Sequence, residues 1–272
     1  MSYRKTIGFI GGGNMAEALA GGIIRAGICD GLNITISEPR ADRRDFLAKT
    51  YGVRVTEDNR VPVKISGTIF LATKPQVLPE VLAEIRKIPA PRQLIISIAA
   101  GTTLSFLEKI LPRSPIIRSM PNTPALIGCG ATVVVPGSRV NAEMTHWAVE
   151  IFHSVGSCLV LPESLLDTVT GLSGSGPAYV FRLAEVLIRE GTAAGLPEEA
   201  AAELVGQTIL GAGKMILETE ISPRELRGMV TSPGGTTEAG LKAMAEAGFE
   251  DAVRAGVRAA VERSRELGKS KD

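Results

Sequence analysis

The sequence predicts an α/β protein in which an N-terminal Rossmann-type doubly wound sheet, residues 1–162, precedes an all-helical domain, residues 163–272. Three observations predict it. An apolar run stops at a glycine cluster and a small-residue helix begins at once, in Thr6-Ile7-Gly8-Phe9-Ile10-Gly11-Gly12-Gly13-Asn14-Met15-Ala16. Short β-branched runs then alternate with helical stretches as far as residue 161, the signature of βαβ units and a parallel sheet. Beyond Pro162-Glu163 the strand pattern ends and the chain turns to Ala, Leu and Glu at helical spacing.

The first strand, 6–10, feeds a helix over 15–26 that stops at Gly27. Gly11 allows the tight turn between them and Gly13 lets backbone N–H groups approach a pyrophosphate. Ala16 stands at the third position of G-x-G-x-x-G/A, where a small side chain lets helix and strand pack closely. The helix N-terminus adds partial positive charge. The junction thus predicts a dinucleotide site, with Gly11, Gly12, Gly13, Asn14 and Met15 at the phosphates.

The second strand, 33–37, closes on Ser37-Glu38-Pro39-Arg40, where such folds read the adenosine ribose. A carboxylate there accepts hydrogen bonds from ribose hydroxyls and repels a 2′-phosphate, so Glu38 points to NADH. Ser37 and Arg40 keep NADPH open, and the cofactor is NADPH or NADH. After the third strand, 53–55, Asn59 joins the cofactor set. The fourth and fifth strands, 68–72 and 94–98, run into Ala72-Thr73-Lys74-Pro75 and Ala99-Ala100-Gly101. Those segments lie at carboxyl ends of parallel strands, where open α/β sheets bind ligands. Strands over 116–119, 132–135 and 158–161 complete the sheet. His146 and His153 flank Trp147 and Phe152, a pattern of a helix packed on the sheet rather than of a general acid.

Helices are expected over 166–169, 178–194, 198–218 and 249–267, with 268–272 as a frayed polar tail. Gly191, Gly195, Gly206, Gly211 and Gly213 suggest close helix–helix contact and hence a partner subunit. Three segments, 119–124, 171–179 and 230–237, are dense in Gly, Ser, Thr and Pro and offer N–H and hydroxyl donors rather than charges. Gly235-Thr236-Thr237-Glu238 opens a helix and makes an anion nest suited to a carboxylate.

Composition narrows the function further. With 30 basic and 29 acidic side chains in 272 residues, no global field recruits nucleic acid or an anionic membrane. Cys29, Cys129 and Cys158 are odd in number and lack C-x-x-C spacing, which argues against a disulfide framework or structural zinc and for a reducing compartment. No apolar run reaches membrane-spanning length, and the first strand begins too early to leave room for a signal peptide; a cytoplasmic protein is expected.

Four segments, taken in order, resemble the Δ1-pyrroline-5-carboxylate reductase family: 8–16, Arg118-Ser-Met-Pro-Asn-Thr-Pro124, 169–179, and Val230-Thr-Ser-Pro-Gly-Gly-Thr-Thr237. The likeness runs from Gly8 to about Leu267. It implies NAD(P)H as cofactor, a cyclic imine acid as substrate, and reduction of its C=N bond without a metal. It further implies that Thr237 is catalytic and hydrogen-bonds the ring nitrogen, while Asn122, Ser232, Gly235 and Thr236 bind the substrate, the last three at its carboxylate. A helical domain interlocked with its twin is implied as well, giving a homodimer whose site is completed across subunits, with assembly to a decamer known in the family. Glu38 departs from the small hydroxyl residue of members that prefer NADPH. A β-hydroxyacid dehydrogenase is the enzymatic alternative, but the lysine and asparagine such enzymes carry after Gly174-Ser175-Gly176 are here Val180 and Ala184. A non-catalytic nucleotide-sensing module would leave the second nest, 230–237, without a purpose.

Overall fold

The computed structural model describes residues 6–269. They fall into two compact units: one formed by the chain up to Ser175 with the segment from Ala259 onward, the other by Gly176–Arg258.

The first unit runs β1 (Ile7–Ile10), α1 (Asn14–Arg25), β2 (Ile34–Ser37), α2 (Ala41–Tyr51), β3 (Arg54–Thr56), α3 (Arg60–Ile65), β4 (Thr68–Leu71) and α4 (Leu78–Ile85). It continues through β5 (Leu94–Ser97), α5 (Leu104–Ile110), β6 (Ile116–Met120), β7 (Gly130–Pro136), α6 (Ala142–His153), β8 (Gly156–Val160) and α7 (Leu166–Val169). The strands form one sheet in the order β3-β2-β1-β4-β5-β6-β7-β8. The chain works outward from β1 to β3, then returns to lay β4 on the other side of β1. Strand order therefore reverses between β1 and β4, which opens a crevice at their carboxyl ends.

One pairing departs from the expected parallel sheet: β7 runs antiparallel to β6. The link between them holds only the 3-10 turn Thr123–Ile127, and a parallel return needs a crossover of a dozen residues or more. The central strands β1, β2, β4 and β5 are buried on both faces, and alternate strand residues fill opposite cores. Phe9, Phe70, Ile96 and Ile117 pack with Leu19 and Ile23 of α1 and Phe152 of α6 on one side. On the other, Ile10, Ile69, Leu71 and Ile95 pack with Leu78 and Leu82 of α4, Leu107 of α5 and Leu166 of α7. The Phe9 and Phe70 rings stack at 4.7 Å. Trp147 is buried and its Nε1 donates to Thr68 Oγ1 at 2.9 Å, so the histidine-bearing helix covers the sheet as expected and leaves His146 and His153 exposed. Gly22 lets α1 sit this close: a Cβ there would fall 2.2 Å from Val155 Cγ1.

The second unit comprises α8 (Gly176–Ala193), α9 (Glu198–Glu218), α10 (Pro223–Met229), α11 (Thr236–Glu246) and the first part of α12 (Phe249–Lys269). The short α10 opens on a capping box between Ser222 and Glu225. From Ala259 the last turns of α12 count with the first unit, where Ser264 Oγ donates to Asp167 Oδ1 at 2.6 Å. Gly268 and Lys269, expected as part of a frayed tail, continue this helix; residues 270–272 lie outside the described residues. Within Gly176–Arg258 the only buried residue is Ala201, while Phe181, Leu204, Leu210, Leu217 and Val253 stand exposed. Apolar helix faces on this scale, left uncovered by their own chain, are the surface of an association domain. Among the described residues no helix is long and apolar enough to cross a membrane.

Candidate functional site

The crevice between β1 and β4 is built by the glycine turn. Gly11 adopts φ +97°, and a Cβ on it would collide with the Ala72 carbonyl oxygen at 2.7 Å, so the turn is open to glycine alone. Gly13, the cap of α1, is the opposite case: a Cβ there would meet nothing within 4 Å. Packing within the chain does not call for that glycine, and the space in front of it is open. No side chain caps α1, so its first N–H groups point outward without a helical partner.

These residues line a cleft of about 610 Å³ that gathers Gly11, Gly13, Ser37, Glu38, Arg40, Asn59, Ala72, Thr73 and Lys74. Thr73 Oγ1 is buried in it with no hydrogen-bond partner among the described residues. An open helix N-terminus, a glycine cradle and an orphaned hydroxyl fit a dinucleotide's phosphates and ribose. Glu57, Val77 and Val81 also line the cleft and were not singled out in the sequence. Gly12, Asn14, Met15, Pro75, Ala99, Ala100 and Gly101 are outside that lining. Gly101 is turned instead toward α12, where a Cβ would lie 2.8 Å from Leu267 Cβ.

At the β2 end of the cleft Glu38 is buried and faces inward. Its Oε2 accepts from the Gly12 N–H at 3.1 Å, and its Oε1 accepts from the Arg40 backbone N–H and Arg40 Nε, each at 3.2 Å. Ser37 is fully buried, with Oγ 2.8 Å from Asn59 Oδ1 and 3.3 Å from the Phe9 carbonyl oxygen. Asn59 Nδ2 donates in turn to Glu84 Oε2 at 2.9 Å. The hydroxyl and the amide that would greet a 2′-phosphate are thus already engaged with the protein.

The 118–124 segment is bound into the same unit. Arg118 is 6% exposed and donates from Nη1 to Glu163 Oε1 at 2.7 Å; the same oxygen accepts from Leu104 N at 2.7 Å. Arg118 Nε has no partner among the described residues. Asn122 uses both ends of its carboxamide internally, donating to the Ser173 carbonyl at 3.0 Å and accepting from Ala131 N at 2.8 Å.

Ser232, Gly235, Thr236 and Thr237 gather in the other unit at the start of α11. Gly234, at φ +72°, turns the chain; Gly235 N donates to the Ser232 carbonyl at 3.0 Å, and Glu238 Oε2 accepts from Gly234 N at 2.7 Å. Gly235 caps α11 without a side chain, which leaves the N–H groups of this first turn directed outward. Ser232 and Thr236 are exposed and Thr237 half-buried. The larger groove of this unit, about 760 Å³ between α10, α11 and α12, contains none of the four. Among the described residues no three His, Cys, Asp or Glu side chains gather as a metal site.

Known proteins match both parts of the chain. A family model described as pyrroline-5-carboxylate reductase dimerisation matches residues 163–267, and one described as NADP oxidoreductase, coenzyme F420-dependent, matches residues 6–101. A pyrroline-5-carboxylate reductase of Synechocystis is 46% identical over 97% of this chain and 98% of its own. The solved pyrroline-5-carboxylate reductase of Coxiella burnetii is 38% identical with a TM-score of 0.88, covering 97% of this chain and 98% of that one. The Plasmodium falciparum pyrroline carboxylate reductase, solved with NADP bound, is 32% identical with a TM-score of 0.89 over 98% of this chain and all of its own.

Proposed function

The chain belongs to the pyrroline-5-carboxylate reductase family and is an NAD(P)H-dependent oxidoreductase of proline biosynthesis, and on that premise we propose how its residues divide the work. Bound NAD(P)H supplies a hydride to the imine carbon. The protein's task is to position and polarise, since reducing C=N needs a close donor and a protonated nitrogen rather than a metal or covalent catalyst.

Gly11, Gly12 and Gly13, with the α1 N-terminus at Asn14 and Met15, hold the pyrophosphate. Thr73 and Lys74, which line the cleft, and Pro75 with the 99–101 loop at a neighbouring strand end complete the cofactor set. Thr237 binds the ring nitrogen through its hydroxyl, keeping the imine proton in place as the C=N bond becomes CH–NH. Ser232, Gly235 and Thr236 take the carboxylate with O–H and N–H donors. Asn122 acts beside the substrate by bracing the loop that holds Ser173. NADH is the preferred cofactor, because Glu38 lies where a 2′-phosphate would put like charges in hydrogen-bonding range and Ser37 is already engaged.

The functional division falls at 162/163, cofactor binding before it and substrate binding with dimerisation after it. A homodimer whose partners cover each other's α8, α9 and α12 faces completes the site, and five such dimers form the larger assembly; the protein acts in the cytoplasm, in keeping with its free cysteines. The observation that carries this reading is the presence in one chain of two helix starts without a side-chain cap, the dinucleotide corner at Gly13 and the Ser- and Thr-rich turn at Gly235. Steady-state oxidation of NADH and NADPH by the purified protein with pyrroline-5-carboxylate tests it. Consumption of either cofactor that depends on the imine and yields proline is the expected result, and kcat/KM is expected to be higher with NADH.

A further inference from the structure

Gly12 is gripped at both of its backbone polar groups by side chains that follow β2. Glu38 accepts from its N–H, and Arg43 Nε donates to its carbonyl oxygen at 2.7 Å. Arg43 is anchored in turn: its Nη2 pairs with Glu17 on α1, Tyr51 at the end of α2 donates to the other Glu17 oxygen at 2.9 Å, and the guanidinium lies 5.0 Å over the Phe46 ring. Arg43 and Glu17 are each less than a fifth exposed. Burial and the hydrogen bond to Glu17 raise the Tyr51 pKa, so its phenol stays protonated and keeps donating. A basic residue just after β2 in such a fold would ordinarily be assigned to a 2′-phosphate, but here its fork joins the phosphate-binding turn to the helix that follows it.

From this geometry we infer that Arg43 is a positioning residue that locks the glycine turn for the pyrophosphate of either cofactor, and that it does not select between NADH and NADPH. The inference rests on the cofactor cleft described above. The guanidinium suits the task because its planar fork serves Gly12 and Glu17 at once, whereas a lysine ammonium acts as a point charge. Without the latch the turn samples other conformations before binding, and any ligand whose phosphates need it loses the same factor in affinity.

The test uses the full-length protein with Arg43→Met and Arg43→Lys, and Tyr51→Phe as a milder release of the same anchor. Cofactor binding is followed by fluorescence titration with NADH and NADPH, without imine. Amide exchange of residues 11–14 is followed without cofactor, and KM and kcat are measured for both cofactors. Arg43→Met is expected to raise Kd and KM about tenfold for both cofactors, the size of one lost charged hydrogen bond. The NADH-to-NADPH ratio of kcat/KM should stay within about twofold and kcat at saturation should be kept, while exchange at the turn quickens. Arg43→Lys should show the same pattern at about threefold, and it carries the test if the methionine variant fails to fold. A loss confined to NADPH would make Arg43 a phosphate ligand and overturn the inference. Unchanged affinities in both Arg43 variants would overturn it as well. A native protein that binds neither cofactor would instead defeat the functional reading beneath it.

Discussion

Glu38 accepts a hydrogen bond from the backbone N–H of Gly12 at 3.1 Å, tying the residue proposed for the ribose to the turn proposed for the phosphates. On that proposal, cofactor preference and cofactor affinity are coupled through one carboxylate. Glu38→Ser is expected to shift the ratio of kcat/KM toward NADPH by about 1–2 kcal/mol, roughly five- to thirtyfold, as Arg40 loses its partner and becomes free for a phosphate. Affinity for NADH should fall at the same time, because the Gly12 N–H loses its acceptor. Kinetics with both cofactors check this; a native enzyme already strongly preferring NADPH, and unmoved by the substitution, would refute it.

Thr237→Val keeps the shape of the side chain and removes the hydroxyl assigned to the ring nitrogen. The expected loss is about 1.5–3 kcal/mol in kcat/KM for the imine, with cofactor KM little changed. Wild-type turnover in a folded variant would remove Thr237 from the site.

Glu163→Ala leaves the Arg118 guanidinium, 6% exposed, without the carboxylate that neutralises it. Breaking such a pair from one side costs about 3–5 kcal/mol, and the lower end is expected because water reaches the partly exposed Glu163. Urea unfolding of the two proteins measures it, and a change under about 1 kcal/mol would show the pair to be an ordinary surface contact.

Burial pushes the Cys158 thiol from 9.0 up to about 12, and burial also raises Cys29, whereas Cys129 is exposed. A thiol reagent at mildly alkaline pH should modify neither Cys29 nor Cys158 until the chain unfolds. The sign for stability follows: above about pH 9 the unfolded chain ionises Cys158 while the folded chain keeps its proton, so this contribution to stability is lost as pH rises from about 9 toward about 12. Rapid modification of Cys158 in the folded protein, detected by peptide mapping, would contradict the burial.

Much of this was legible in the residues because local chemistry dictated it. Gly11 suited a turn at φ +97°, the β-branched runs alternating with helical stretches marked the βαβ units of the sheet, and Trp147 marked α6 as packing. The antiparallel β7 was not legible from periodicity, since a strand's pattern is the same in either direction and only the shortness of the link after Met120 decides it. Val77 and Val81 read as ordinary apolar positions of a helix start, and nothing in their spacing marks them as cleft residues. The contact of Arg43 with Gly12 was not legible, because it spans 31 positions of chain.

The most direct test of the central claim is the transfer of deuterium to the product from NADH carrying deuterium at both nicotinamide C4 positions. Purified protein is incubated with the labelled cofactor and pyrroline-5-carboxylate, and the proline formed is analysed by mass spectrometry. One deuterium at C5 of proline for each cofactor oxidised is the predicted result; cofactor oxidation without labelled proline, or no oxidation in the presence of the imine, would contradict it.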